Sequence, residues 1–469
     1  MHELLAAQRD SFMAALPEPL ALRKDRLKRA IAMVRDSATR FCDALSEDFG
    51  HRSPEQTMVT DIAGSIGPLQ HALKHVDRWA RRDRRGVQFP LGLLGARAWV
   101  EYQPKGVVGV IAPWNFPVNL VMAPLAGIFA AGNRAMVKTS EFTPATAALF
   151  EEIVGKYFDP AELVFVSGGP EVGKAFAELP FDHLLFTGAT GIGRHILHAA
   201  ADNLTPVTLE LGGKSPVIVG DSADLAQVGQ RVAMGKMLNA GQICLAPDYV
   251  LVPSAKEEGL VDNLKAAASA MYPTLLGNPD YTSVVNDRHY QRLNAWIDDA
   301  RAKGARIEVV NPAGEDFAAT NSRKMPLHIV RDATDDMIVM QEEIFGPVLP
   351  VRRYDGIDNA IAEVNRRDRP LGLYYFGRDE GERRRVLDRT ISGGVTLDDV
   401  VFHVSMEDLP FGGVGPSGMG AYHGRDGFVT FSHAKSVFKQ SRLDVAKLAG
   451  LKPPYGAATR KTVARQIGG

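Results

Sequence analysis

Apolar and polar positions change their rhythm along this chain. Over the first 80 residues Leu22, Leu27, Ile31 and Val34 recur at helical spacing, which predicts amphipathic helices. From about residue 97 the pattern becomes strand-like. Ala98-Trp99-Val100-Glu101-Tyr102-Gln103 alternates as an exposed strand does, and Gly106-Val107-Val108-Gly109-Val110-Ile111 is a short apolar run suited to a buried parallel strand. Strands and helices then alternate. Arg134–Lys138 precedes a helix opening near Thr143-Pro144, Leu163–Val166 precedes another near Pro170, and His183–Thr187 precedes a helix over 192–203. A second series follows residue 244, with strands near 248–252, 306–309, 327–330, 348–354, 372–376 and 394–397. The chain closes on a glycine-rich loop, Leu409-Pro410-Phe411-Gly412-Gly413-Val414-Gly415, and a strand-like stretch over 428–438. Such alternation builds βαβ units and a parallel sheet with helices on both faces. A chain of 469 residues is too long for one core, so two α/β domains with the chemistry between them are expected.

Charge and composition narrow the class. The 54 basic and 55 acidic residues nearly cancel, so nothing predicts electrostatic capture of nucleic acid or a membrane. The basic run over 78–85 (RWARRDRR) reads as a solvated helix end rather than a phosphate-binding patch. No segment reaches the roughly 20 apolar residues of a membrane span. The first residues (MHELLAAQRDSF) form an acid-bearing amphipathic helix without the apolar core of a signal peptide. Two cysteines argue for a reducing compartment, and a soluble cytoplasmic protein is expected. The twelve histidines show no ligand spacing, so no catalytic metal is predicted.

Candidate chemistry sits in loops. Cys244, among small residues in Leu238-Asn239-Ala240-Gly241-Gln242-Ile243-Cys244-Leu245-Ala246-Pro247, is either a nucleophile or a small buried hydrophobe. Glu210, in Leu209-Glu210-Leu211-Gly212-Gly213, is the carboxylate that would serve it as base. Cys42 lies on a helical apolar stripe and reads as core. Phe186-Thr187-Gly188-Ala189-Thr190-Gly191-Ile192-Gly193 joins a strand to a helix with GxxGxG spacing. It is either a phosphate-binding loop or an ordinary tight turn. Lys138-Thr139-Ser140-Glu141, at another strand end, suits either ribose hydroxyls or plain solvent. Asn115, in Pro113-Trp114-Asn115-Phe116-Pro117, is an oxyanion donor or an asparagine in a stiff turn.

Together these segments resemble the NAD(P)-dependent aldehyde dehydrogenase superfamily. PWNFP, KTSE, FTGATGIG, LELGGKSP, NAGQICLAPDYV, QEEIFGPVLP and LPFGGVGPSGMGAYHG occur in family order from about residue 20 to 440. The likeness is strongest to the class-3-like branch and, within it, to bacterial enzymes that oxidise coniferyl aldehyde. It implies a Rossmann-type cofactor-binding domain (1–85 and 104–211) and an α/β catalytic domain (212–424). A small β oligomerisation element (86–103 and 425–440) and a C-terminal tail (441–469) complete it. The implied reaction is oxidation of coniferyl aldehyde or a similar aromatic aldehyde to the acid, with a medium-chain aliphatic or general aldehyde dehydrogenase as the alternative. Cys244 would form a thiohemiacetal and then a thioester, Asn115 would hold the oxyanion, and Glu210 would activate water. NAD, with NADP as an alternative, would contact Trp114, Lys138, Glu141, Gly188, Thr190, Gly193, Leu211, Glu343 and Phe345. Glu141 would favour NAD by repelling a 2′-phosphate. Phe116, Tyr422 and His423 would line the aldehyde pocket, and a homodimer is implied. A coenzyme A-acylating relative or a silent homologue is disfavoured, because nucleophile, base and oxyanion donor are all kept. Ala189, Asp398 and Ile243 depart from residues common in the family.

Overall fold

The computed structural model describes residues 1–89 and 91–468. The chain opens with the helices His2–Ala14, Leu20–Asp36, Ala38–Phe49 and Gly64–Trp79. The buried face of Leu20–Asp36 is turned from the one the apolar spacing predicts: Arg23, Arg26, Leu27, Ala30, Met33 and Val34 are buried, while Leu22 and Ile31 are only half-buried. Arg26 can enter the interior because Glu18 and Glu162 meet its guanidinium at 2.5 and 2.8 Å, and a buried charge is tolerable when paired.

Among the described residues the strands form three sheets. The first has six, in the order Gly418–Met419, Val207–Glu210, His183–Thr187, Val107–Ile111, Arg134–Lys138 and Leu163–Val166. Five run parallel, and the two-residue Gly418–Met419 strand joins antiparallel beside Glu210. The second has seven, in the order Arg306–Val310, Leu327–Arg331, Val348–Tyr354, Tyr249–Pro253, Pro216–Val219, Gly372–Phe376 and Gly394–Leu397. It is parallel except at the Arg306–Val310 edge. The fully buried strands, such as Val107–Ile111 and Gly372–Phe376, are the continuous apolar runs of the sequence.

The third sheet holds Asp83–Arg85, Arg97–Pro104 and Ser432–Lys439, all antiparallel. It corrects two expectations. The basic run is not simply a helix end: the helix stops at Trp79 and Asp83–Arg85 pairs with Ala98–Val100, with Arg82 over the Trp99 ring and ion-paired to Glu101 at 2.8 Å. The stretch 428–438 is not all strand. Gly424–Thr430 is a helix, because Phe428 and Phe431 bury together at helical rather than strand spacing. Pro90 and Gly469, within the expected oligomerisation element and tail, lie outside the described residues.

Candidate active site

Sheet register alone gathers four of the loops. Ile111 pairs with Lys138 and with Phe186, and Thr187 pairs with Glu210, so the carboxyl ends of these parallel strands share one edge. The strand order reverses at Val107–Ile111, the position where open α/β sheets bind ligands. The second sheet presents the opposite ends of its strands to the same crevice. Cys244 precedes Tyr249–Pro253 and Glu343 precedes Val348–Tyr354, and these strands are neighbours.

The nucleophile loop is held by its own polar residues. Three consecutive residues, Asn239, Ala240 and Gly241, have φ of 52°, 51° and 73°. The strain at Ala240 is held by Gln242, whose Nε2 donates to Asn239 O at 2.9 Å and Ser283 O at 3.1 Å while its Oε1 accepts from Val285 N at 2.9 Å. Asn115 Nδ2 donates to Gln242 O at 3.1 Å, which sets its amide two residues from Cys244. An amide carries two N–H donors, so one remains for an oxyanion. The fully buried Arg52–Asp61 pair fixes that turn. Arg52 donates to Asn115 O at 2.8 Å, its guanidinium lies 5.1 Å from the Phe116 ring, and Asp61 Oδ1 accepts from Val118 N at 3.2 Å.

The electrostatics favour neutral groups in the resting site. Burial raises the Glu210 carboxyl well above its ordinary range, and neither of its oxygens has a hydrogen-bond partner among the described residues. The Cys244 thiol is pushed up to about 12, by burial first and then by Glu343 and Glu210, while its own N–H and that of Leu245 pull the other way. Cys244 as a residue is only half-buried. A buried carboxyl near a buried thiol is a base matched to its acid.

On the other side of the crevice, a Cβ built at Gly212 would overlap the Glu343 carboxylate, so glycine is needed there for close approach. Glu343 is pushed up to about 8 by burial and then Asp248, and its Oε1 is buried without a partner among the described residues. Its loop is pinned by Arg292, which donates to Ile344 O at 2.8 Å, and by Lys214, which donates to Glu342 O at 2.9 Å. Phe345 and Trp114 meet edge to face at 5.2 Å. Lys138 Nζ and Glu141 Oε2 pair at 3.3 Å. The helix Thr190–Asp202 begins without a side-chain cap, leaving backbone N–H groups at its amino end after Gly188. A Cβ at Gly193 would stand 2.7 Å from Leu211 Cδ2, so that glycine serves helix–strand packing. The Thr190 hydroxyl is already bonded to Pro416 O at 3.1 Å. An orphaned carboxyl oxygen over a glycine cradle, with free helix N–H groups beside it, fits a dinucleotide.

Phe116, Tyr422 and His423 are all buried here, with Tyr422 and His423 packed against Phe411 at 5.9 and 4.9 Å. Asp398 orders a loop, its Oδ1 accepting from Gly377 N at 3.2 Å and its carboxylate 3.5 Å from Arg383. Ile243 is buried in the core beside Cys244, and Cys42 is buried as expected. Gln242, Arg52, Asp248 and Lys236 were not singled out from the sequence. Lys236 is fully buried, is pulled down to about 8 by burial, and its Nζ has no partner among the described residues. A polar residue inside the loop motif, as Gln242 is, was the one available signal.

The aldehyde dehydrogenase family matches residues 2–437. The chain is 56% identical over 468 residues to a probable coniferyl aldehyde dehydrogenase of Caulobacter vibrioides, covering 100% of this chain and 96% of that one. It is 54% identical over 442 residues to the coniferyl aldehyde dehydrogenase of a Pseudomonas species, covering 94% and 91%. Its fold matches the substrate-bound state of Staphylococcus aureus AldH with a TM-score of 0.91, at 34% identity and 99% coverage of each chain. This chain belongs to the aldehyde dehydrogenase family.

Proposed function

We propose that this enzyme oxidises coniferyl aldehyde or a similar aromatic aldehyde to the acid, with thioester hydrolysis at Cys244. The observation that carries the reading is Glu210, a buried carboxyl in the crevice of Cys244 and Asn115 without a hydrogen-bond partner among the described residues. The names of the two bacterial relatives and the Phe411, Tyr422 and His423 wall support an aromatic substrate.

Cys244 Sγ bonds to the carbonyl carbon as its proton passes to Glu210. The carbonyl oxygen becomes an oxyanion, held by Asn115 Nδ2 and the Cys244 N–H. The nicotinamide cofactor, when bound, supplies the hydride acceptor that takes this adduct to a thioester. Glu210 releases the proton taken from Cys244 to solvent and, as the carboxylate, removes a proton from water. The oxygen bonds to the acyl carbon, the C–S bond breaks to release the acid, and the Cys244 thiolate takes the proton from Glu210. Glu343 and Phe345, with Trp114, would hold the nicotinamide half. Lys138, Glu141, Leu211 and the turn Gly188, Thr190 and Gly193 would hold the adenosine and phosphates. A carboxylate at Glu141 supports NAD, while the adjacent Lys138 cation leaves room for NADP.

The free edge of Ser432–Lys439, with Phe438 exposed on it, supports a homodimer formed through the third sheet, and sedimentation velocity tests it. The expected setting is the cytoplasm. For the described residues, no helix is long and apolar enough to cross a membrane. The domain boundaries of the sequence reading stand as part of this proposal. NADH formation with coniferaldehyde, benzaldehyde and hexanal, without coenzyme A, tests the reading: wild type turns over steadily and Cys244→Ala does not. Turnover only after coenzyme A is added would refute hydrolysis.

A further inference from the structure

A cavity of about 380 Å³ opens where the loop after the helix Ala38–Phe49 meets the segments 276–283 and 321–324, and it shares no lining residue with the site of Cys244. That volume suits a small organic ligand. Its wall is tied together through the backbone: Ser283 N donates to His51 O and Val284 N to Arg323 O, each at 3.0 Å. Ser283 also offers its carbonyl to Gln242 Nε2 at 3.1 Å, so the wall is braced against the nucleophile loop. A Cβ at Gly50, where φ is 73°, would stand 2.7 Å from Arg323 Nη2, so glycine lets the guanidinium lie against the chain.

Two cations line this cavity with donors to spare. Arg323 commits Nε to Val284 O at 3.0 Å, and Nη2 to Phe49 O and Val285 O at 2.8 and 3.2 Å. Among the described residues its Nη1 meets only the exposed Asp287 carboxylate, at 3.8 Å. Lys324 is buried, and its ammonium donates to Leu276 O and Asn278 O at 3.2 and 2.5 Å, which leaves a third N–H. Burial pulls that ammonium below its ordinary range, with only Glu315 opposing. The Glu315 oxygens are already taken by Leu275 N and Leu276 N, at 2.7 and 2.9 Å. His51, the third basic side chain here, donates through Nε2 to Pro279 O at 2.9 Å. Among the described residues no carboxylate lines the cavity. A buried ammonium and an uncommitted guanidinium edge, with no acid between them, present the donors that an oxyanion takes.

We propose that this cavity is a second ligand site, which binds a small organic oxyanion, a carboxylate or a phosphate ester, through Arg323 Nη1 and Lys324 Nζ.

The test is calorimetric titration of the full-length enzyme, saturated with NAD so that its phosphate-binding turn is filled, with benzoate, phenyl phosphate and neutral benzyl alcohol. Gly277 lines the cavity, is exposed, and has open space where a Cβ would stand, so a longer side chain enters there without a clash. Wild type binds at least one of the two anions and not the alcohol. The stronger anion identifies the occupant as a carboxylate or as a phosphate ester. Gly277→Glu, which sets a carboxylate in the cavity, weakens that anion roughly tenfold, and Gly277→Gln, of the same size, weakens it less. Asn321→Asp, at another exposed lining residue, repeats the test with a second charge. Both charged variants keep wild-type melting and turnover of aldehyde. Absence of binding by either anion, equal affinity for benzyl alcohol, or an affinity unchanged in both charged variants overturns the inference.

Discussion

Replacing Glu210 with glutamine tests both halves of the proposed reaction. Both carboxyl oxygens lack partners among the described residues, so an amide of the same shape breaks no hydrogen bond there. The substitution also removes an ionisable group from a site that penalises its charge. Because burial raises the folded carboxyl's pKa, the folded state keeps its proton longer than the unfolded chain does. Wild type therefore loses stability as pH rises from the ordinary value of 4.5 toward the folded one. Glu210→Gln should match wild-type melting at low pH and exceed it increasingly above 4.5. Catalysis moves the other way. A thiol at about 12 is ionised in only about one molecule in 10^5 at pH 7, so both attack and hydrolysis need a base. Loss of a general base costs about 10²–10⁴ in rate, or about 3–5 kcal/mol of barrier. Rapid mixing with NAD+ and aldehyde should show first-turnover NADH formation and steady turnover both slowed by that factor. In wild type, steady turnover should rise with pH as the carboxyl ionises. Unimpaired steady turnover in a well-folded variant would refute the assignment. First-turnover NADH formation as fast as in wild type would confine Glu210 to the hydrolysis step.

Three other substitutions test the surroundings. Gly212→Ala places a methyl against the Glu343 carboxylate, so the KM for NAD should rise about tenfold while Tm changes little, as initial rates and a melting curve would register. Glu141→Gln removes the carboxylate beside Lys138 and should lower the KM for NADP relative to NAD by roughly tenfold, read from paired saturation curves. Lys236→Met removes a fully buried ammonium. A lysine pulled from 10.5 to about 8 destabilises the fold most fully below pH 8, and the penalty fades as pH rises to 10.5. The gain at pH 7 is at most about 3 kcal/mol, and chemical denaturation should show it narrowing across pH 8–10.5.

Much of the fold could be read because buried parallel strands are continuous apolar runs. Arg134–Lys138, Leu163–Val166, His183–Thr187 and Gly372–Phe376 stand where the alternation predicts them. What could not be read depends on partners distant in the chain. Gly418–Met419 is a strand only because Glu210 and Leu209 lie beside it, and two residues carry no period. Helix and strand were confused at Phe428 because that aromatic face packs on Trp79 at 5.9 Å and on Tyr102 at 5.5 Å, contacts invisible in the local pattern. Arg23 and Arg26 disguise the buried face of their helix for the same reason, since an arginine looks solvated until its carboxylates are placed.

The site followed a different logic. Cys244, Glu210 and Asn115 were each ambiguous alone, and family resemblance, not spacing, gave them roles. The structure supplies the physical ground for their convergence: parallel register brings the strand ends at Ile111, Lys138, Thr187 and Glu210 to one edge, and the second sheet delivers Cys244 and Glu343 from its opposite ends. Because two sheets close over the same crevice, burial raises both carboxyls, Glu343 to about 8 and Glu210 well above its usual range. The residues that fix the geometry, Arg52 with Asp61 and Gln242 with Val285, carry no catalytic signature because they act on backbone carbonyls and amides. A motif can name the groups that react, but the positions those groups take depend on polar contacts between segments dozens of residues apart. Substitutions at Arg52 or Gln242 should therefore cost activity without touching any reacting atom.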